Sequence, residues 1–304
     1  MRIAVTGGAG FIGSHIVDAL LETGADVAIV DHLTRSPRPW VTAALSRGAQ
    51  LHVADVRNLA ALQTAFAAAR PEAVLHLAAQ VDVRRSVADP SLDAQVNVAG
   101  TVSVLEAALA AGAERLVLAS TAATYGDPDQ LPTPEDAPAH PLSPYGTSKA
   151  AAEWYLAQYA RLNGLSTLAL RMANVYGPRQ DPHGEAGVIA IFCGAASEGR
   201  PVTVFGDGAQ TRDYVYVGDV ARAWVAAATS DVCGELNVST GTETPLVALV
   251  AELGLDHQLA PGRPGEIARS CLDPSAAHTA LGWRAEIPLS EGLRRTLAAM
   301  AVAS

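Results

Sequence analysis

Short apolar runs alternate with longer stretches of helical spacing through the first half of the chain. Residues 3–5 are apolar and run into glycines, and residues 11–21 then repeat apolar positions at helical intervals. Residues 27–30, 51–54, 73–77, 116–119 and 167–170 are further short apolar runs. Such runs, lacking polar alternation, predict strands buried on both faces. Between them, residues 59–69 and 92–111 are rich in Ala and Leu, which suit helices. The alternation predicts a parallel sheet covered on both sides, wound right-handedly into a doubly wound α/β fold of the Rossmann type.

The pattern breaks twice. Residues 127–144 are Pro-rich and predict a surface loop. From about Asn174 the alternation becomes irregular, although residues 202–205, 219–229 and 236–239 still read as strand, helix and strand. The expected organisation is a dinucleotide-binding domain over residues 1–173, to which residues 203–240 return. A smaller C-terminal substrate-binding lobe, residues 174–304, is interleaved with it.

Composition narrows the function. With 49% hydrophobic and 17% charged residues in 304, the chain buries a core and is not disordered. A net charge of −10 weighs against nucleic acid or an anionic membrane as partner. An anionic small ligand must then be held by local arginines and backbone amides. Cys193, Cys233 and Cys271 are too far apart for a metal site or a disulfide framework, so no metal is expected. Residues 1–5 do not read as the start of a secretory signal, and no apolar run reaches membrane-spanning length, so a cytoplasmic protein is expected.

The first candidate chemistry is the turn between the first strand and the first helix. Gly7, Gly10 and Gly13 permit a tight turn, close approach to a pyrophosphate, and close packing of helix on strand. Phe11 and Ile12 open a helix whose free N–H groups face the phosphates. Asp31 ends the second strand, where a carboxylate accepts both ribose hydroxyls of adenosine and repels a 2′-phosphate. NAD rather than NADP is therefore expected, a preference that Arg35 would soften. Asp55 and Val56 follow the third strand and suit the adenine, although Asp55 equally suits a helix cap. Leu77, Ala78 and Ala79 follow the fourth strand and are small enough to let a dinucleotide pass.

The second candidate lies just after the Pro-rich loop. Tyr145 and Lys149 stand four apart at the start of an Ala-rich helix, on one face. An ammonium there, aided by oxidised nicotinamide, is expected to lower the phenol's pKa toward neutrality and make it a base for a sugar hydroxyl. Thr121 follows the fifth strand, where a doubly wound sheet opens its ligand crevice, and suits a hydrogen bond to the oxygen being oxidised.

With these residues in place, the chain resembles the extended short-chain dehydrogenase/reductase superfamily and, within it, the UDP-glucose 4-epimerase family. The resemblance runs nearly end to end, through TGGAGFIG, ADVRN, HLAAQ, NVAGT, STAATYG, YGTSK, LRMANVYGPRQDP, RDYVYVGD and RPGE. It implies NAD as cofactor, with Asn97 of NVAGT among its contacts, Tyr145 as base, Lys149 on the nicotinamide ribose, and Thr121 on the sugar 4-oxygen. It also implies a UDP-sugar held by Asn174, Arg212 and Arg263 at the diphosphate, by Glu266 at the uridine ribose, and by Ala122, Arg179 and Val188. Arginine forks suit phosphate oxygens. The implied reaction is interconversion of UDP-glucose and UDP-galactose through a transient 4-keto sugar. UDP-glucuronate is the alternative, with Arg179 or backbone amides on its carboxylate. A small Ser270 leaves an N-acetyl sugar open.

Related nucleotide-sugar 4,6-dehydratases carry an Asp-Glu pair where this chain has Ala122 and Ala123. Methyl groups shuttle no protons, so dehydration is disfavoured. A noncatalytic NAD-binding regulator is the reading from another class, since a fold alone fixes no function. The family commonly pairs through helices corresponding to residues 92–111 and 145–161, which implies a homodimer.

Overall fold

The computed structural model describes residues 1–34, 39–182, 187–262 and 267–303. Two compact units emerge. The first comprises Met1–Gly126, Ala139–Arg171 and Ala221–Leu236, and the second Asp127–Pro138, Met172–Val220 and Asn237–Ser304.

A seven-stranded parallel sheet organises the first unit. Its strands are β1 (Arg2–Thr6), β2 (Asp26–Asp31), β3 (Gln50–Val53), β4 (Ala73–His76), β5 (Arg115–Thr121) and β6 (Ser166–Met172), closed at one edge by Gly234–Val238. From that edge the order is Gly234–Val238, β6, β5, β4, β1, β2, β3. The order reverses direction beside β1, where an open sheet of this kind forms its ligand crevice. All four residues of β4 and six of seven in β5 are buried, which explains the apolar runs Ala73–Leu75 and Leu116–Ala119 at their centres. β3 has no buried residue, as its edge position allows.

The predicted strands and helices of this unit form close to where the apolar pattern puts them. Residues 92–111 are not one regular α-helix. Helices Pro90–Ala94 and Gly100–Ala110 are joined through a π-helical turn, Gln95–Ala99. The helix Pro144–Asn163 starts sharply because Ser143 accepts a hydrogen bond from Gly146 N at 3.1 Å and Pro144 sets the first turn. It stops at Gly164, whose φ of +72° only glycine adopts readily.

The second unit is built from small sheets and short helices. Asn174–Tyr176 pairs with Tyr214–Tyr216, and Val202–Phe205 with His257–Ala260, both in parallel. Thr211–Arg212 lies between Thr244–Pro245 and Arg269–Ser270. These pairings place residues 203–220 in the second unit, so the expected return to the sheet narrows to Ala221–Leu236 with the edge strand. The Pro-rich segment also divides. Thr133 is fully buried, its N–H donates to Cys271 O at 2.9 Å, and its carbonyl accepts from Asp273 N at 2.9 Å and Asn237 Nδ2 at 3.0 Å. Part of this expected surface loop is thereby built into the second unit.

Candidate active site

β1 delivers the chain into the glycine turn. Gly7 has φ +70°, and a Cβ there would lie 2.7 Å from Ala78 N. A Cβ on Gly13 would lie 2.2 Å from Gly7 O, so neither position accepts a side chain without moving backbone. Gly10 precedes the helix Phe11–Glu22 and gives its amides no side-chain cap, while Phe11 and Ile12 stay half-buried. Asp31 closes the turn, accepting from Ala9 N at 3.1 Å and Leu33 N at 2.9 Å. A cradle that a methyl group would fill, an uncapped helix start and an adjacent carboxylate fit the adenosine diphosphate part of a dinucleotide.

Asp55 grips the Arg57 guanidinium with both oxygens, at 3.0 and 3.1 Å to Nε, and that hydrogen-bonded cation holds its carboxyl down at about 2. It does not cap the next helix. Asn58 does, accepting from Ala61 N at 3.1 Å. Val56 is buried against Gly100, whose added Cβ would fall 2.9 Å from Val56 Cγ2. Leu77, Ala78 and Ala79 remain half-buried after β4, and Ala78 N donates to Thr6 Oγ1 at 3.3 Å.

Beneath this surface runs a directional chain of buried hydrogen bonds. Thr101 Oγ1 donates to Asn97 O at 2.6 Å, so toward His76 Nε2, 3.1 Å away, it accepts. His76 therefore carries its proton on Nε2 and accepts at Nδ1 from Thr6 Oγ1 at 2.6 Å. Burial and the nearby Lys149 charge push its pKa down to about 3, which keeps the ring neutral. Asn97 lies in the π-helical turn and is buried. Its amide nitrogen donates to Gln80 O at 2.9 Å, Asp93 Oδ1 at 3.1 Å and Ser148 Oγ at 3.1 Å, and its oxygen accepts from Gln80 N at 2.8 Å. These bonds tie the Asn97 side chain to the loop after β4 and to the helix bearing Tyr145.

Thr121, Tyr145 and Lys149 do meet. The Thr121 hydroxyl hydrogen-bonds the Tyr145 phenol, and it also accepts from Ala123 N at 3.2 Å in the 3-10 turn Ala122–Thr124. The close approach depends on Gly146, where a Cβ would lie 2.5 Å from Ala123 O. Ser86 Oγ accepts from Tyr145 N at 3.1 Å. Lys149 is buried and donates to Ala119 O at 3.0 Å. Burial lowers its pKa to about 8, against the opposing pull of Asp93 and Glu153.

The expected lowering of the Tyr145 pKa does not come from these groups. Burial pushes the phenol up to about 12; the Thr121 bond partly offsets this, and the Asp93 charge adds to it. The protein alone holds Tyr145 protonated, so a tyrosinate near neutrality requires further positive charge.

In the second unit, Asn174 is exposed and Arg212, Arg179 and Val188 are half-buried. Arg179 has φ +70° at a turn, and Arg212 donates to Thr211 O at 2.7 Å and lies in register with Ser270. The two acids of RDYVYVGD act within the unit: buried Asp213 accepts from Thr240 N and Gly241 N, each at 3.0 Å, and Asp219 from Glu286 N and Ile287 N, each at 3.0 Å. Arg35, Arg263 and Glu266 lie outside the described residues. No group of three metal-ligating side chains occurs among the described residues.

Among the buried polar residues that pack around this site, the sequence reading passes over His76, Asp93, Glu153 and Arg171. Each left a trace there. His76 and Arg171 interrupt apolar strands, Asp93 stands four before Asn97, and Glu153 four after Lys149.

A doubly wound sheet with this glycine turn and a Thr-Tyr-Lys cluster at its carboxyl end defines a dinucleotide-binding protein of the short-chain dehydrogenase/reductase class. Residues 3–239 match the model of the NAD dependent epimerase/dehydratase family, and the chain belongs to that family. It is 44% identical to a UDP-glucose 4-epimerase of Mycolicibacterium smegmatis, over 98% of this chain and 97% of that one. Its fold matches the crystal structure of a Thermotoga maritima UDP-glucose 4-epimerase with UDP-glucose, at TM-score 0.94 and 41% identity, covering 100% and 99% of the two chains. A Thermus thermophilus UDP-glucose 4-epimerase in complex with NAD gives TM-score 0.92 and 44% identity, with both chains fully covered.

Proposed function

We propose that the protein is an NAD-dependent 4-epimerase that interconverts UDP-glucose and UDP-galactose. The observation that carries this reading is the cluster of Thr121, Tyr145 and Lys149 beside the methyl groups of Ala122 and Ala123. It joins a proton acceptor to a hydroxyl that orients the sugar oxygen, and it places no carboxyl acid at the two positions beyond Thr121. The likeness to UDP-glucose 4-epimerases along the whole chain supports it.

The first unit holds the dinucleotide through Gly7, Gly10, Phe11, Ile12 and Gly13 at the pyrophosphate, Asp31 at the ribose and Asp55 and Val56 at the adenine. Leu77, Ala78 and Ala79 line its path. Bound NAD supplies a hydride acceptor, a hydride donor after the first transfer, and positive charge in its oxidised form. Tyr145 takes the proton of the sugar 4-hydroxyl and later returns one, while Thr121 holds that oxygen by hydrogen bonding. Lys149, on the same helix as Tyr145, holds the nicotinamide ribose. Because Tyr145 sits at about 12 in the protein alone, it becomes a base only beside added positive charge, which ties proton transfer to the oxidised cofactor. Asn174, Arg179, Val188 and Arg212 of the second unit, with Arg263 and Glu266, hold the UDP group. Ala122 and Ala123 give the sugar little to hold on to, so a ketose anchored through its nucleotide is free to turn.

The chain works as a homodimer in the cytoplasm. Trp154 and Leu162, 65% and 70% exposed on the helix Pro144–Asn163, and Leu142, 66% exposed just before it, suit a second copy. The free thiols, Cys233 among them an exposed one, suit a reducing compartment.

Incubation with UDP-glucose, UDP-glucuronate and UDP-N-acetylglucosamine, followed by analysis of the sugars, tests the activity. The expected product is UDP-galactose from UDP-glucose. A 4-keto-6-deoxy sugar would mark a dehydratase, and no conversion of any substrate a regulator. Tyr145→Phe should lower turnover by about 10²–10⁴-fold and leave NAD binding intact.

A further inference from the structure

We propose that Glu153 and Arg171 are positioning residues for this reaction, an ion-paired clamp that sets Thr121 against Tyr145; this rests on the epimerase reading above. Both side chains are buried, Glu153 at 3% and Arg171 at 7% exposure. The guanidinium meets the carboxylate as a fork, Nε to Oε1 at 3.0 Å and Nη2 to Oε2 at 2.8 Å. Its third nitrogen, Nη1, donates to Tyr125 Oη at 2.9 Å, and its carbon lies 4.9 Å from the centre of that ring. Ser120 Oγ donates to Glu153 Oε1.

These four residues sit on every element that shapes the reacting pair. Ser120 immediately precedes Thr121 on β5, and Tyr125 ends the 3-10 turn that follows it. Glu153 lies two turns beyond Tyr145 and one beyond Lys149 on the same helix, and Arg171 comes from β6. Thr121 is therefore gripped on both sides in sequence by a cluster that also holds the helix of Tyr145. Stability alone does not account for such a pair. Removing two charges from water costs about as much as their mutual attraction returns, and apolar replacements of buried pairs are often neutral or stabilising. A rigid fork, by contrast, fixes distance and angle, which the bond between Thr121 and Tyr145 needs.

The test uses the full-length, NAD-loaded protein. Glu153→Gln with Arg171→Met removes both charges together and leaves neither stranded. This double variant should fold with a Tm near that of the parent and bind NAD unchanged. Its kcat on UDP-glucose should fall by about 10–100-fold with little change in KM, the cost of misplacing reacting groups. Combined with Thr121→Ala, the same two changes should cost less than about threefold, because the clamp works through Thr121. Arg171→Lys, which keeps the charge and loses the fork, should fall between parent and double variant, and it serves should the double variant fail to fold. A parent-like kcat, or an equal loss with and without Thr121, overturns the proposal.

A readout independent of sugar chemistry is the ¹³Cζ resonance of Tyr145 in tyrosine-labelled protein. It should move in the double variant and in Arg171→Lys toward its position in Thr121→Ala. A resonance that stays at the parent position overturns the clamp. Inactivity of the parent on every UDP-sugar would overturn the epimerase reading instead, and the resonance would still decide on the clamp.

Discussion

Lys149→Met should abolish catalysis and yet stabilise the protein at neutral pH. Burial lowers the Lys149 pKa from 10.5 to about 8. Below pH 8 the ammonium is charged in both the folded and unfolded chains, so its burial cost is present in full. Between about 8 and 10.5 the folded state gives up the proton first and the cost fades; above 10.5 it is gone. At 1.36 kcal/mol per pKa unit the cost near pH 7 is about 3 kcal/mol. Methionine has similar length and no charge, but it leaves Ala119 O without the bond that Lys149 makes at 3.0 Å, a loss of about 1–3 kcal/mol. The variant should therefore be more stable than the parent by up to about 2 kcal/mol at pH 7 and less stable above pH 10.5. Urea unfolding of both proteins at pH 7, 9 and 11 measures the difference. A variant less stable at pH 7, or a difference that does not change with pH, would refute the reasoning.

Gly13→Ala places a methyl group 2.2 Å from Gly7 O, and calorimetry should show NAD binding lost or weakened at least a hundredfold. Asp31→Asn removes the charge that repels a 2′-phosphate, so the ratio of NAD to NADP affinity should fall about tenfold or more in binding titrations. Sedimentation at micromolar concentration should give a dimer, and Trp154→Glu should shift it toward monomer.

The sheet was legible because its central strands are buried on both faces and carry apolar runs at their centres. β4 shows this best, its only polar residue being His76 at the end. The glycine turn was legible for a related reason: Gly7 and Gly13 are glycines because backbone fills the space of a side chain. Much of the second unit was not legible. Thr211–Arg212, Thr244–Pro245 and Arg269–Ser270 are strands of two residues each, too short to carry a period. Around Tyr145, spacing reveals a nearby cation but not the loss of water that raises the phenol in the protein alone. Lys149 stands four residues away in sequence, yet its ammonium bonds Ala119 O, and burial dominates the phenol. The clamp was hidden for a similar reason, since Ser120 and Glu153 lie 33 residues apart and nothing local announces their bond.

The chain crosses from one compact unit to the other five times, because each unit is assembled from three separate segments. No single cut releases either half intact, and a piece ending at residue 173 would lack the strand Gly234–Val238 that borders β6. Swapping a lobe by gene fusion, the usual way modular proteins acquire new partners, is closed to this architecture. Its descendants must change what they recognise by substitution in place, and a laboratory seeking a new sugar should diversify side chains rather than graft fragments.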